Sequence, residues 1–197
     1  MIPNLVGSQW LPPSEGAQSL PIFNPATGQV IDQVPLSGSN EVDAAVKAAV
    51  AAYATWSRTA VMERVRLMFR YKALLEDHFE ELAAIITRHH GKTLDESRGE
   101  VRRGIEVVDF ACGAPTLLQG RTLRDVSGGV DQDLYRYPVG VCAGIPPFNF
   151  PVMIPLWMFP LAIVAGNTFV LKPSERTPLG DSAWLRSSSK PAFRPAC

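Results

Sequence analysis

The sequence of 197 residues lacks a charge imbalance, since 19 Lys and Arg are matched by 19 Asp and Glu. A balanced chain has no long-range field that would collect a nucleic-acid backbone or an anionic membrane surface. Any anion must therefore be bound by a local group of residues, and nucleic acid is not an expected partner. The composition, 46% hydrophobic and 19% charged, argues against a disordered chain and predicts a globular protein with the core of one domain or of two small ones.

Cysteine is scarce as well. Cys112, Cys142 and Cys197 are an odd number and show neither a Cys-x-x-Cys pair nor a zinc-ligand spacing. This usage is typical of structural thiols in a reducing compartment. The first sixteen residues lack the basic and apolar segments of a targeting signal. The sequence therefore predicts a cytoplasmic location.

Histidine is rare, and two of the three histidines are the neighbours His89 and His90. Neighbouring side chains on a helix point about 100° apart and cannot hold one ion, so no metal site is predicted. The nearby arginines Arg98, Arg102 and Arg103 are, as a group, more typical of a solvated helix face than of a binding site.

Charge is wholly absent from residues 137–171, a run long enough to cross a bilayer. Pro151, Pro155 and Pro160 recur inside this run and argue against a transmembrane helix, so no membrane role is expected. The run is better interpreted as a buried strand (139–145), a turn, a helix from about Phe150 and a second strand (168–171). That order is a β-α-β unit, which predicts an α/β fold.

The residues before this run predict a hairpin followed by helices. PIFNPATGQVIDQVPL alternates apolar and polar residues around a turn. Helical spacing then covers 39–56, a long segment from Val61 to His89, and a third segment that begins after Gly91. In the third helix, Val101, Ile105, Val108 and Phe110 are expected to point inward. Strand-like alternation returns across the Gly128-Gly129 turn.

Three polar residues of the β-α-β unit stand out. Asn149, between a strand and a helix, could donate a hydrogen bond to an oxyanion, or it could simply cap the helix. Lys172 and Glu175 follow the second strand, where ligands bind in open α/β sheets, and they could contact ribose hydroxyls as donor and acceptor. Together these residues favour a nucleotide site beside an oxyanion site.

Longer motifs carry a family resemblance. GVCAGIPPFNFP and PLWMFPLAIVAGNTFVLKPSE resemble the first half of the NAD-binding domain of the aldehyde dehydrogenase superfamily, and the similarity extends back to PIFNPATGQV. RGIEVVDFACGAP and KPSER most resemble the CoA-acylating methylmalonate-semialdehyde (malonate-semialdehyde) dehydrogenases within it.

The resemblance implies a division of the chain. Residues 1–19 would form an N-terminal arm, 20–120 a hairpin and helical part, and 121–138 strands of the kind used for oligomerisation. Residues 139–180 would be the first half of a Rossmann-like NAD-binding domain, truncated after its first β-α-β unit. A homo-oligomer is the family's usual assembly.

It also implies roles for particular residues. Asn149 would donate to the oxyanion of the thiohemiacetal, and Arg103 would bind the carboxylate of a small semialdehyde. Around the cofactor NAD, Pro146 and Phe148 would line the dinucleotide groove, although Pro146 replaces the family's usual small residue. At the adenosine ribose, the resemblance places Lys172, Glu175 and Arg176. The Glu175 carboxylate would favour NAD because it repels a 2′-phosphate.

The resemblance further implies a cysteine nucleophile and acyl transfer to CoA, and here the sequence departs from the family. None of its three cysteines lies in the expected Gly-Gln-Arg-Cys setting. The tail 181–197 has no helical or strand period. If the coding sequence is rich in GC, a reading frame shifted by one base can encode MAAELFQQAGLPAGV from Trp184 onward, which resembles the helix and turn that follow in the family. We expect a frameshifted, aberrant tail and a chain that is inactive alone. The alternative function is a non-catalytic fragment that binds partner subunits or binds nucleotide weakly.

Overall fold

The computed structural model describes residues 1–178, so the tail expected to be aberrant lies outside the described residues. Along this range two hairpins, a group of helices, an extended hairpin and one β-α-β unit follow one another. This order confirms the predicted α/β class.

Each strand pairs with one other strand among residues 1–178. The strands are β1 (Asn4–Val6), β2 (Gln9–Leu11), β3 (Ser19–Phe23), β4 (Val30–Pro35), β5 (Arg121–Ser127), β6 (Val130–Leu134), β7 (Val141–Gly144) and β8 (Thr168–Leu171). The helices are α1 (Ser39–Trp56), α2 (Val61–Asp77), α3 (Phe79–His90), α4 (Leu94–Cys112), α5 (Ala114–Leu117) and α6 (Met153–Val164).

The N-terminal hairpins differ from the sequence prediction in one respect. The predicted hairpin is present as the antiparallel pair β3–β4. The arm 1–19 contains a second antiparallel pair, β1–β2, which the sequence analysis did not identify. Ile2 is buried, and its backbone N–H donates to Gln33 O at 2.9 Å, so β4 anchors the start of the chain.

The long helix predicted from Val61 to His89 is instead two helices, α2 and α3. The backbone leaves the helical region at His78, with φ −105° and ψ 17°, and no proline or glycine marks the break. Gly91 ends α3 in the left-handed conformation at φ 83°, where a β-carbon would lie 2.8 Å from Pro25 Cγ. The predicted end, His89, is one residue before the observed end of α3, whereas the break at His78 was not predicted.

Helix α4 is the centre of the core and contacts α2, α3 and α6. Its N-terminal turn is closed by Thr93 and Glu96, where Thr93 N–H donates to Glu96 Oε2 at 3.0 Å. Val101, Ile105 and Val108 are buried as predicted, but Phe110 is 58% exposed. The prediction for Phe110 was wrong because this residue follows Val108 by only two positions and so lies off the buried face.

Gly104 lets α6 approach α4 closely. A β-carbon at this position would lie 2.6 Å from Leu156 Cδ1 and 3.4 Å from Leu156 Cβ. The buried core extends across this contact and includes side chains from α2, α3, α4 and α6: Val65, Met68, Tyr71, Leu75, Leu82, Ile86, Val101, Ile105, Val108, Leu156 and Val164.

The predicted β-α-β unit is present: β7 and β8 pair in parallel and α6 connects them. Strand β8 has the predicted bounds. The prediction of a buried strand at 139–145 was wrong in part: β7 covers only Val141–Gly144, only Gly144 in it is buried, and the flanking Val139 and Ile145 are 87% and 73% exposed. Helix α6 starts at Met153, after a turn that occupies 148–152.

The C-terminal end of α6 is held by side chains from much earlier in the chain. Trp56 Nε1 donates to Ile163 O at 3.0 Å, and Arg64 Nε donates to Val164 O at 2.8 Å. Both side chains are buried. Helix α6 is therefore anchored at this end by α1 and α2.

The β5–β6 hairpin is solvent-exposed along its whole length. It carries large apolar side chains, of which Leu123, Val126 and Val130 are each at least 50% exposed. Gly120 precedes it, and a β-carbon there would collide with the backbone at Leu134. The hairpin is an exposed ribbon that carries apolar side chains among charged ones.

No helix within residues 1–178 is both long enough and apolar enough to span a membrane.

His89 gives the fold a pH dependence. Burial, followed by the charge of Arg88, lowers the pKa of His89 from 6.5 to about 4. Its contribution to stability is complete above pH 6.5 and is lost as the pH falls toward 4, because the unfolded chain binds the proton first. We expect His89→Gln to flatten the stability profile between these pH values, where the parent chain loses up to roughly 3 kcal/mol. Urea unfolding of both chains from pH 7 to 4 measures this; parallel profiles would contradict it.

Candidate functional site

The turn between β7 and α6 presents Asn149 to solvent. Its side-chain amide makes no hydrogen bond to any of residues 1–178, and the N-cap position of α6 is Val152, without a side-chain cap. The structure therefore does not support the alternative that Asn149 caps this helix. The amide is available to an external acceptor.

Lys172 and Glu175 lie just beyond the carboxyl end of β8. The Lys172 backbone N–H donates to Gly144 O at 3.0 Å, which sets this residue beside the end of β7. Lys172 Nζ and Glu175 Oε2 are 3.1 Å apart, and both side chains are about half exposed. Hydrogen bonds from its own backbone N–H and from Lys172 lower the pKa of Glu175, which keeps it an anionic acceptor.

Contacts to Phe148 join the segment after β8 to the turn that carries Asn149. The Arg176 guanidinium lies 5.0 Å from the centre of the Phe148 ring, and Thr177 Oγ1 donates to Phe148 O at 3.1 Å. His90 stacks on Phe148, with ring centroids 6.3 Å apart. Burial and the charge of Lys92 lower the pKa of His90, so its ring is favoured in the neutral form. These contacts bring together two parts of the predicted site.

Pro146, the other residue predicted to line a dinucleotide groove, is buried in the same turn, whereas Phe148 is 45% exposed.

Arg103 differs from the other two arginines of its cluster. Arg98 and Arg102 form ion pairs with carboxylates, at 2.9 Å to Glu80 and 2.7 Å to Glu76. This agrees with the prediction of a solvated face for those two residues. Arg103 makes no ion pair within residues 1–178, and its guanidinium lies 5.9 Å from the centre of the Phe150 ring. It is exposed and close to the residue that follows Asn149.

Sequence reasoning missed a buried ion pair behind this turn. Glu100 is fully buried, and Lys92, with a 14% exposed side chain, lies 2.5 Å from it. Lys92 Nζ also donates to Asn149 O at 2.6 Å. The spacing of α4 contains a signal for Glu100, since it lies four residues before Gly104 on the buried face.

An apolar cavity of about 310 Å³ lies on another side of β8, among residues of the N-terminal arm, α1, α2 and α6 such as Leu5, Ala45, Tyr71 and Phe159. Lys172 reaches its edge, but Asn149, Arg103 and Glu175 do not line it. The polar site is therefore on the surface around the turn and the end of β8. Within residues 1–178, no three His, Cys, Asp or Glu side chains gather as a metal site.

Comparison with known proteins shows which proteins this chain is similar to. A malonate-semialdehyde dehydrogenase of Bacillus pumilus (strain SAFR-032) is 54% identical over 179 residues, which are 91% of this chain and 37% of that protein. A second one, of Geobacillus kaustophilus (strain HTA426), is 54% identical over 89% of this chain and 36% of its own length. The chain thus spans little more than a third of these relatives.

Solved structures give the same result. A methylmalonate-semialdehyde dehydrogenase from Oceanimonas doudoroffii superposes with a TM-score of 0.91 at 45% identity, over 100% of this chain and 40% of that one. A Sinorhizobium meliloti 1021 protein complexed with NAD, and assigned as a methylmalonate-semialdehyde dehydrogenase, has a TM-score of 0.88 at 39% identity. The superposition covers 97% of this chain and 39% of that one. The sequence profile of the aldehyde dehydrogenase family matches residues 10–186, and the chain therefore belongs to that family.

Proposed function

We propose that this chain carries the ribose-binding and oxyanion-binding part of an NAD-dependent, CoA-acylating dehydrogenase of malonate or methylmalonate semialdehyde. The observation that carries the proposal is the joining of two exposed polar groups in one β-α-β unit. Asn149 lies in the turn after β7, and Lys172 and Glu175 follow β8. Phe148 contacts Arg176 and Thr177 and links the two groups.

The polar residues after β8 suit an adenosine ribose. Lys172 supplies an ammonium donor and Glu175 a carboxylate acceptor 3.1 Å away, so each can take one of two neighbouring hydroxyls. The negative charge of Glu175 disfavours a 2′-phosphate and thus favours NAD over NADP. NAD, when bound, accepts the hydride that the substrate aldehyde loses.

Asn149 would act on the aldehyde oxygen. Addition of a thiolate to the aldehyde carbon moves an electron pair onto that oxygen, and a preorganised amide donor stabilises the resulting charge. The Asn149 amide has no partner within residues 1–178 and can therefore donate to this oxygen. Loss of hydride then gives a thioester, whose acyl group the CoA thiol takes in exchange for the enzyme thiolate.

Arg103 would bind the substrate's carboxylate. A malonate-type semialdehyde has a carboxylate at its far end, and a guanidinium pairs with a carboxylate through two parallel hydrogen bonds. Arg103 is close to the Asn149 turn and makes no ion pair with a carboxylate of residues 1–178. It can therefore take this ligand without breaking a salt bridge.

The β5–β6 ribbon would contribute a subunit contact. Its apolar side chains, including Leu123, Val126 and Val130, are exposed along this hairpin. Such a surface is typical of an element that is covered in an oligomer. The proposal for residues 121–138 is therefore a homo-oligomeric interface.

NAD binding tests the nucleotide part. We expect Lys172→Met and Glu175→Gln each to weaken NAD binding by about tenfold, the loss of one hydrogen bond to a charged group. Glu175→Gln should also narrow the preference for NAD over NADP. Isothermal titration calorimetry with the purified chain measures both quantities. The control is Lys47→Met, since Lys47 forms an exposed ion pair with Asp43 on α1. Equal affinities in all variants, or no binding to the parent chain, would contradict the proposal.

Turnover distinguishes an active enzyme from a non-catalytic fragment, the second candidate function. None of Cys112, Cys142 and Cys197 has the Gly-Gln-Arg-Cys setting of the family nucleophile. Burial also raises the pKa of Cys112, which disfavours its thiolate. We expect no NADH when the purified chain is incubated with malonate semialdehyde, CoA and NAD. Absorbance at the NADH band is the measurement, and sustained turnover would reject the non-catalytic alternative.

A further inference from the structure

We propose that Lys92 and Glu100 are positioning residues that fix the Asn149 turn on the N-terminus of α6. The inference rests on the proposed role of Asn149 as the oxyanion donor. In this proposal neither residue contacts the substrate. Both act through the backbone of residues 149–153.

Glu100 binds the start of α6. One of its carboxylate oxygens accepts hydrogen bonds from the backbone N–H groups of Val152 and Met153, at 2.9 and 3.2 Å. These groups begin α6, where N–H groups lack partners within the helix and the helix dipole favours an anion. Since Glu100 lies on α4 and is fully buried, it ties the start of α6 to the centre of the core.

Lys92 connects Glu100 to the turn that carries Asn149. Its ammonium lies 2.5 Å from the other oxygen of Glu100 and donates to Asn149 O at 2.6 Å. It also lies 4.0 Å from the centre of the Phe150 ring, a cation–π distance. One cation therefore contacts the backbone carbonyl of Asn149 and the side chain of the next residue, Phe150.

The hydrogen bond from Lys92 ends on the backbone of the residue that carries the proposed oxyanion donor. This geometry favours a role in positioning Asn149 over a general contribution to stability. Lys92 holds the carbonyl of Asn149, and the Asn149 side-chain amide has no partner within residues 1–178. Since no hydrogen bond from residues 1–178 holds the side chain itself, the position of its backbone, which Lys92 fixes, sets the region that the amide can reach. An oxyanion donor acts only when its amide is already aimed at the developing charge.

The test uses the full 197-residue chain with ¹⁵N in the side-chain amides of asparagine. The sequence has only five asparagines, Asn4, Asn24, Asn40, Asn149 and Asn167. Loss of one signal in Asn149→Asp assigns Asn149. The Asn167 side chain accepts from the backbone N–H groups of Val139 and Gly140, at 2.7 and 3.0 Å, so its signal reports whether the β-α-β unit is folded.

We expect Lys92→Met to shift or broaden the Asn149 signal and to leave the Asn167 signal in place. Lys92→Arg should restore the Asn149 signal, because a guanidinium can contact both oxygens. The matched control is Lys72→Met, since Lys72 is 2.6 Å from Asp109 in an ion pair between α2 and α4, away from the turn. An unmoved Asn149 signal in Lys92→Met, or a signal in Lys92→Arg equal to that in Lys92→Met, would overturn the proposal.

Disturbance of Asn149 and Asn167 together would also overturn it, because it would show a general loss of structure. Glu100→Gln gives a second measurement: amide hydrogen exchange at Val152 and Met153 should accelerate roughly 10- to 100-fold, as for the loss of a hydrogen bond to a charged group. Unchanged exchange there would count against the role of Glu100. The NMR and hydrogen-exchange measurements do not depend on NAD binding. The proposed function can therefore fail while the positioning role stands, and the positioning role can fail while the proposed function stands.

Discussion

Replacing Glu100 by alanine is expected to lower the free energy of unfolding by about 3–5 kcal/mol, because the buried Lys92 ammonium would lose its partner. The backbone N–H groups of Val152 and Met153 would also lose their acceptor in a dry environment. Urea unfolding followed by circular dichroism measures the change.

Glu106→Ala is the matched control for this prediction. Glu106 is an exposed carboxylate on the same helix and forms no ion pair within residues 1–178. We expect its removal to leave the unfolding midpoint nearly unchanged. A Glu100→Ala chain as stable as the Glu106→Ala chain would show that the ion pair is dispensable to the fold.

Replacing Trp56 by alanine is expected to cost a similar amount, about 3–5 kcal/mol, for a different reason. Trp56 is a large buried side chain, so its loss leaves a cavity between α1 and the end of α6. It also removes the donor to Ile163 O. The same urea measurement applies, with Trp56→Phe as the comparison.

Phenylalanine keeps much of the buried apolar area but lacks the pyrrole part of the indole, including its N–H. Trp56→Phe should therefore cost less than Trp56→Ala: about 1 kcal/mol for the lost hydrogen bond, plus a smaller packing loss than alanine causes. Equal losses in Trp56→Phe and Trp56→Ala would mean that the hydrogen bond, and not packing, carries the effect. The two substitutions thus separate two contributions at one residue.

The sequence predicted those parts of the fold in which one local pattern decides the structure. The apolar run between two turn signals gave β8 with its exact bounds, because Thr168 and its neighbours are buried on a short strand flanked by Gly166 and Pro173. The β3–β4 and β5–β6 hairpins followed from alternation around their turns. The positions of Asn149, Lys172 and Glu175 followed from the strand ends. Their roles remain predictions.

Other features depend on contacts that a local pattern does not contain. The break at His78 has no proline or glycine, so helical spacing continued across it. Phe110 was assigned inward on its apolar character, although its position on the helix turns it outward.

Glu100 was overlooked for a related reason. It lies among Arg98, Arg102 and Arg103, and charged helix residues are most often solvated. Its burial is favourable only because of its contacts with Lys92 and with the start of α6. The helical position of Glu100 was readable from the sequence, but its partners were not.

The anchoring of α6 also bears on how the chain is made. Trp56 and Arg64 donate to Ile163 O and Val164 O, which lie 107 and 100 positions later in the chain. Ala49 O accepts from Thr168 Oγ1, which lies 119 positions later. Closing loops of this length is slow compared with forming helices. During synthesis, α1 to α4 emerge from the ribosome well before α6, so the apolar face around Gly104 stays open to chaperones until Val164 has cleared the exit tunnel.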